Sequence, residues 1–221
     1  MHRLIMNSAT YQQSSSSATS VAAATTDPEN TLYSHYSRRR LEAESLRDAL
    51  LKVSGDWDNV PGEGHPFPSP TSWGYTQHSP FSAVYESNKR SIYLMVQRIK
   101  RHPFLALFDG ADPNSPTPTR SVSTVPTQAL FFMNAPFVHE KSAALATRLE
   151  RLKATEAERV SLAYQWTLGR PPTAIEKGEA REFLAQYRSL LSAESKASSE
   201  SQSLAAFARS LFGSNEFLHI D

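Results

Sequence analysis

Apolar positions recur at steps of three and four from Leu32 to Val53. The series Leu32, Tyr36, Arg39, Ala43, Leu46, Leu50, Val53 is the repeat of a helix with one packed side. Asp27-Pro28 supplies a capping carboxylate with proline in the first helical place, and Gly55 suits the left-handed residue just past the end. One place in that stripe is a cation. A guanidinium on a packed face must exchange its water for carboxylates or carbonyls, so Arg39 demands a partner. The remaining charges pair at helical spacing, Arg38 with Glu42, Arg40 with Glu44 and Asp48 with Lys52, and read with Arg47 as a solvated face.

Beyond Val125 the pattern is helical almost to the end. Pro126 to Met133 reads as a short apolar helix, and Asn134 with Pro136 opens another whose stripe is Val138, Ser142, Leu145, Leu149 and Leu152. Thr155 with Glu158, and Thr173 with Glu176, both have capping-box spacing. The first box starts a helix holding Val160, Ala163, Tyr164 and Leu168 and ending at Gly169. The second starts one holding Ala180, Phe183, Leu184, Tyr187 and Leu191, so the pair forms an antiparallel hairpin. A last helix shows Leu204, Phe207, Ala208 and Leu211 and stops at Gly213, after which Phe217 turns back onto the bundle.

Other stretches lack that period. His2 to Met6 is a short apolar helix with no cap before it, as in a truncated helix or a late start in a longer protein. The Ser/Ala/Thr run to Thr26 is a linker or loop. Residues 56–80 are rich in proline, glycine and aromatics, Ser91 to Val96 is a short extended segment, and His102 to Phe108 is a helical turn or two. Asp112 to Pro118 is a second loop stiffened by prolines. The fold class expected is all-α, a mainly helical bundle with one short extended segment and two long Pro-rich loops. Its parts are 1–26, a truncated helix plus linker; 27–153, a helical core with the aromatic loop 56–80; and 154–221, a helical hairpin with a terminal helix.

Composition narrows function by exclusion. Of 221 residues 39% are hydrophobic and 10% aromatic, enough for a real core. Lys plus Arg is 23 against Asp plus Glu at 22, a net charge of +1, so no field of one sign draws in a nucleic acid. The absence of cysteine excludes disulfides, iron–sulfur clusters and thiolate zinc sites. There is no secretory signal and no membrane span, which leaves localisation open. His65, His78, His102 and His139 are scattered, none at metal-ligand spacing, so neither metal nor cofactor is expected.

Two candidate sites follow. The first is a partly buried polar network of Arg39, Arg40, Glu44, Asp48, Asp109, Asp112, Arg120 and Gln128, in which Gln128 anchors the proline loop through its carbonyls. The second is the aromatic loop, with Trp57, Phe67, Trp73 and Tyr75 as rings that stack on sugars, grip a partner, or cover the apolar edge of the bundle. Thr124 or Thr127 as a nucleophile lacks the glycine-flanked elbow, and Thr124 reads better as a helix cap. No catalytic residue is assigned.

Several segments in order carry a family resemblance: His2 to Tyr11, Asp27-Pro28-Glu29-Asn30, Arg38 to Glu44, Arg47-Asp48, Thr124 to Leu130, Leu168-Gly169-Arg170-Pro171-Pro172 and Ser214 to Leu218. Together they resemble the planctomycete-associated C-terminal domain of unknown function, found in large exported proteins that often hold a cytochrome-c-like module. The resemblance implies extracytoplasmic company and carries no established activity; with no cysteine, no haem is expected here. The function expected is a non-catalytic interaction or scaffold module at the C-terminal end of a larger exported protein. Its partners would be other domains of that protein, or a protein or polysaccharide. The competing readings are part of a polysaccharide-acting hydrolase with paired carboxylates and, weaker, a nucleic-acid binder using Arg38 to Arg40.

Overall fold

A computed structural model describes residues 1–15, 27–62, 87–98, 100–191 and 196–220. The chain is mainly helical and divides into two compact units, residues 1–41 with 215–221, and residues 42–214.

The larger unit is a helical bundle. Helix α2 (Ala43–Ser54) packs on α5 (Pro136–Glu150), which lies along α8 (Lys196–Phe212); α6 (Glu156–Leu168) and α7 (Ala174–Leu190) close the other side of α8. Two shorter helices, α3 (Pro103–Leu107) and α4 (Pro126–Asn134), sit between α2 and α5 in the chain. The expected stripes form the core: Val138, Ser142, Leu145 and Leu149 are buried in α5, Val160, Ala163 and Tyr164 in α6, Ala180 and Leu184 in α7, and Leu204, Phe207, Ala208 and Leu211 in α8. Leu152 and Phe183, read as stripe members, stay about a third exposed.

Local chemistry explains where these helices start and stop. In both capping boxes the glutamate reaches back to the threonine amide, Glu158 to Thr155 at 2.7 Å and Glu176 to Thr173 at 2.6 Å. Gly55 and Gly169 end their helices at φ 87° and 73°, the left-handed region a glycine enters without steric cost. Helix α4 corrects one expectation. Its cap is Val125 rather than Thr124, and Gln128 takes over the capping role by accepting the Val125 amide at 3.4 Å.

The smaller unit contains α1 (His2–Met6), β1 (Arg39–Arg40), α9 (Asn215–Leu218) and β2 (His219–Ile220). The two strands pair antiparallel, Arg39 opposite Ile220 and Arg40 opposite His219. Phe217 is buried.

Here the structure overturns the long-helix reading. Asp27 does not launch a helix through Arg39; the helix begins at Ala43, and Arg39 stands exposed on β1. The Asp27 carboxylate accepts from the amides of Thr31 at 2.9 Å and Leu32 at 2.7 Å and from the Thr31 hydroxyl at 2.8 Å. A helix cap bonds amides two or three residues on, whereas these lie four and five away, so the carboxylate closes a turn. Asn30 and Tyr33, both at φ 53°, then break any right-handed helix.

Ser91 to Val96, expected as an extended segment, opens as a 3-10 turn over Ser91–Tyr93 before Leu94 becomes extended. The Ser91 hydroxyl and amide are held by α2, which fixes the turn.

Candidate functional site

The eight side chains of the expected polar network are divided between the two units. Arg39 and Arg40 belong to the smaller unit and the other six to the larger. Within the larger unit they form separate local ties. Arg120 meets Glu44 with both terminal nitrogens at 3.1 Å, a forked pair of the strong kind. Asp48 accepts the Ser91 amide at 2.7 Å. Asp109, itself at φ 63°, accepts the Ser123 amide at 2.8 Å and hydroxyl at 2.7 Å, and the Gln128 amide donates to the Leu107 carbonyl at 2.9 Å. That corner lies beside a cluster of phenylalanines, Phe104, Phe108, Phe131 and Phe132, whose rings pack edge to face and tilted at centroid distances of 4.7–6.2 Å. Asp112 accepts the Asn114 amide at 2.9 Å and stays in its own loop.

Sequence reasoning missed two buried cations. Arg47, placed on the solvated face, is 2% exposed. It donates to the Ser87 and Lys89 carbonyls, the latter at 2.9 Å, and to the Ser91 hydroxyl at 3.2 Å. Burial pushes its pKa down, an effect partly opposed by the neighbouring Asp48 carboxylate. Lys141 is 4% exposed and donates to Asp56 at 2.8 Å and Asn88 at 2.9 Å. The signal that finds both is adjacency to a stripe: in α2 the row Ala43, Arg47, Leu51, Ser54 is buried beside the row Leu46, Leu50, Val53.

Those cations hold the segment 87–91. Asp58 pairs with Lys89 as a parallel bridge, accepts the Arg90 amide at 2.9 Å, and meets the Lys89 ammonium at 2.8 Å. Asp58 and Lys89 are thereby clasped side by side. Of the aromatic candidates, Trp57 is half-buried with the Lys52 ammonium 4.4 Å from its ring centre; Phe67, Trp73 and Tyr75 lie outside the described residues.

The smaller unit holds a cleft of about 570 Å³. Its lining draws on α1, the loop after Asp27 and both strands, and includes Ile5, Tyr11, Asn30, Tyr33, His35, Tyr36, Arg39 and Ile220. Asn30 stitches the loop: its amide nitrogen donates to the His35 carbonyl at 2.7 Å and to the Ser37 hydroxyl at 3.2 Å. Asp27 lies behind, its carboxyl held below the usual range first by the Leu32 amide and then by the Thr31 hydroxyl and amide and by nearby His35. Arg39, expected inside a packed helix face, instead borders this cleft.

Other carboxylates show the same direction. Asp58 is lowered chiefly by Lys89, Asp112 by the Asn114 amide, and Glu158 by the Thr155 amide. Glu176 falls from 4.5 to about 2, first through its fork with Arg170 and then through the Thr173 amide. A group depressed on folding stabilises the fold above its unfolded value and loses that contribution as pH drops. Between pH 4.5 and about 2, wild type is therefore expected to lose stability more steeply than Glu176→Gln, which keeps the cap and removes the charge. Glu176 is 23% exposed. Solvent screening limits the gap to under about 1 kcal/mol, readable in urea midpoints measured across that pH window. Identical pH profiles would show that the fork with Arg170 adds nothing.

Among the described residues no group of His, Asp or Glu side chains is arranged to hold a metal ion, and no helix is long and apolar enough to cross a membrane.

The family model described as PSD1, protein of unknown function (DUF1553), matches residues 1–184, and the chain belongs to that family. No curated protein and no solved structure matches it.

Proposed function

We propose that this domain is a non-catalytic interaction module, acting as the C-terminal part of a larger exported multi-domain protein. The observation that carries the reading is the engagement of its acids. Glu44 is tied to Arg120, Asp56 to Lys141, Asp58 to Lys89, Glu156 to Arg188, Glu176 to Arg170 and Glu200 to Arg159. A glycosidase needs one carboxyl raised to act as an acid, and the shifted carboxyls here move the opposite way. The resemblance to the planctomycete-associated domain supports the exported parent, in which a cytochrome-c-like module and companion domains would be neighbours. The partners proposed are those domains, or a protein or polysaccharide surface.

The test incubates the full chain with a panel of polysaccharides and measures both retention on the polymer and release of reducing ends. Retention without release is expected. Cleavage that disappears in a Glu or Asp variant still folded by circular dichroism would overturn the reading.

A further inference from the structure

The cleft of the smaller unit has a lining whose chemistry is selective. Among the described residues of its lining, Arg39 is the one permanently charged side chain and none carries a carboxylate. Among the described residues the Arg39 guanidinium makes no hydrogen bond or ion pair, and neither do the hydroxyls of Tyr11, Tyr33 and Tyr36. The strand pairing of Arg39 with Ile220 fixes the backbone from which the guanidinium projects. The bend that delivers Tyr33 requires a positive φ, 53°, at a residue with a bulky side chain, a conformation the Asp27 and Asn30 hydrogen bonds hold in place.

We propose that this cleft binds a carboxylate-bearing sugar unit, with Arg39 gripping the carboxylate and the tyrosines covering the ring and bonding its hydroxyls. This rests on the reading of the domain as an interaction module. The guanidinium fork matches a planar carboxylate in two parallel hydrogen bonds. A single cation balances a single negative charge, whereas a phosphate dianion calls for more. Tyrosine faces stack on the apolar side of a ring, while their hydroxyls, with that of Thr10, surround it with neutral partners suited to sugar hydroxyls. A volume of about 570 Å³ accommodates one or two such units.

The experiment titrates the full chain with glucuronate, glucose, benzoate and inorganic phosphate, following calorimetric heat and the Arg39 Nε and tyrosine ring signals by NMR. Glucuronate is expected to bind tightest, about tenfold more tightly than glucose, a ratio of the size one charge-assisted fork contributes. Arg39→Gln should reduce glucuronate to the level of glucose, and Tyr36→Leu should weaken both sugars together. Arg39 is exposed, so the first variant keeps the fold, and circular dichroism checks the second. Benzoate or phosphate equalling glucuronate, an unchanged affinity in Arg39→Gln, or no response from any ligand overturns the assignment. Cleavage of a uronate polymer by the same preparation overturns instead the module reading on which it rests, and it registers as new reducing ends rather than as a change in the order of affinities.

Discussion

Replacing Arg47 by alanine is expected to lower the unfolding free energy by about 3 kcal/mol, while Arg39→Ala stays within about 0.5 kcal/mol of wild type. Arg47 is 2% exposed and donates to two carbonyls and a hydroxyl of the segment 87–91. Truncation strands those acceptors and leaves a void the size of a guanidinium, and each buried acceptor without a partner costs about 1 kcal/mol or more. Arg47→Lys should recover only part of the loss. An ammonium is a point donor and cannot span acceptors that a planar fork reaches together. Urea titration gives the free energies, and hydrogen exchange localises them: the amides of Arg90 and Ser91, which bond Asp58 and Asp48, should lose protection first. Equal costs for Arg39→Ala and Arg47→Ala would contradict the burial described here.

That contrast inverts what the sequence pattern implies, and the inversion has a physical origin. Helical spacing was legible wherever a cap agreed with it. Thr155, Glu158, Thr173, Glu176 and Gly169 fix the ends of α6 and the start of α7 by local hydrogen bonds, so the buried rows between them follow from the period alone. Upstream of Ala43 the same spacing continued through Leu32, Tyr36 and Arg39 without such support. Periodicity counts positions and does not register that Asp27 bonds the wrong amides for a cap or that Asn30 and Tyr33 turn left-handed. Losing that first segment removed the reason to bury Arg39. Arg47 was read as solvated because a one-sided helix exposes its second row, yet α2 is covered by α5 on one row and by the segment 87–91 on the next. The ties within the larger unit were illegible for a related reason. Which acid meets which base across 76 residues, as Glu44 meets Arg120, is settled by tertiary packing and leaves no local mark. The cleft, too, was invisible, since its walls come from chain segments more than 180 residues apart that only the pairing of β1 with β2 brings together.

Asp56→Ala is expected to cost about 2 kcal/mol and Lys141→Met less than about 1, although each deletes the same ion pair. The asymmetry comes from which partner is left behind. Lys141 is 4% exposed in α5, so removing Asp56 leaves an ammonium in a low-dielectric site with the Asn88 side-chain oxygen Oδ1 as its remaining close acceptor. Removing Lys141 leaves a carboxylate whose side chain is 34% exposed and able to turn to water, and the methionine fills the aliphatic track beside Phe137. A fully dry pair would lose 3–5 kcal/mol on losing its anion, and water at Asp56 brings the figure toward about 2. The double variant Asp56→Ala with Lys141→Met should then recover most of the loss, a coupling of about 1 kcal/mol or more between neighbours. Additive losses would mean that Lys141 is already compensated by Asn88 and that the pair with Asp56 contributes little. Because Asn88 stands one residue from both Ser87 and Lys89, the Lys141 bond to Asn88 and the Arg47 hydrogen bonds act on one short segment from two different helices. Combining Arg47→Ala with Asp56→Ala should accordingly cost less than the sum, since the second change acts, through Lys141, on a segment the first has already released.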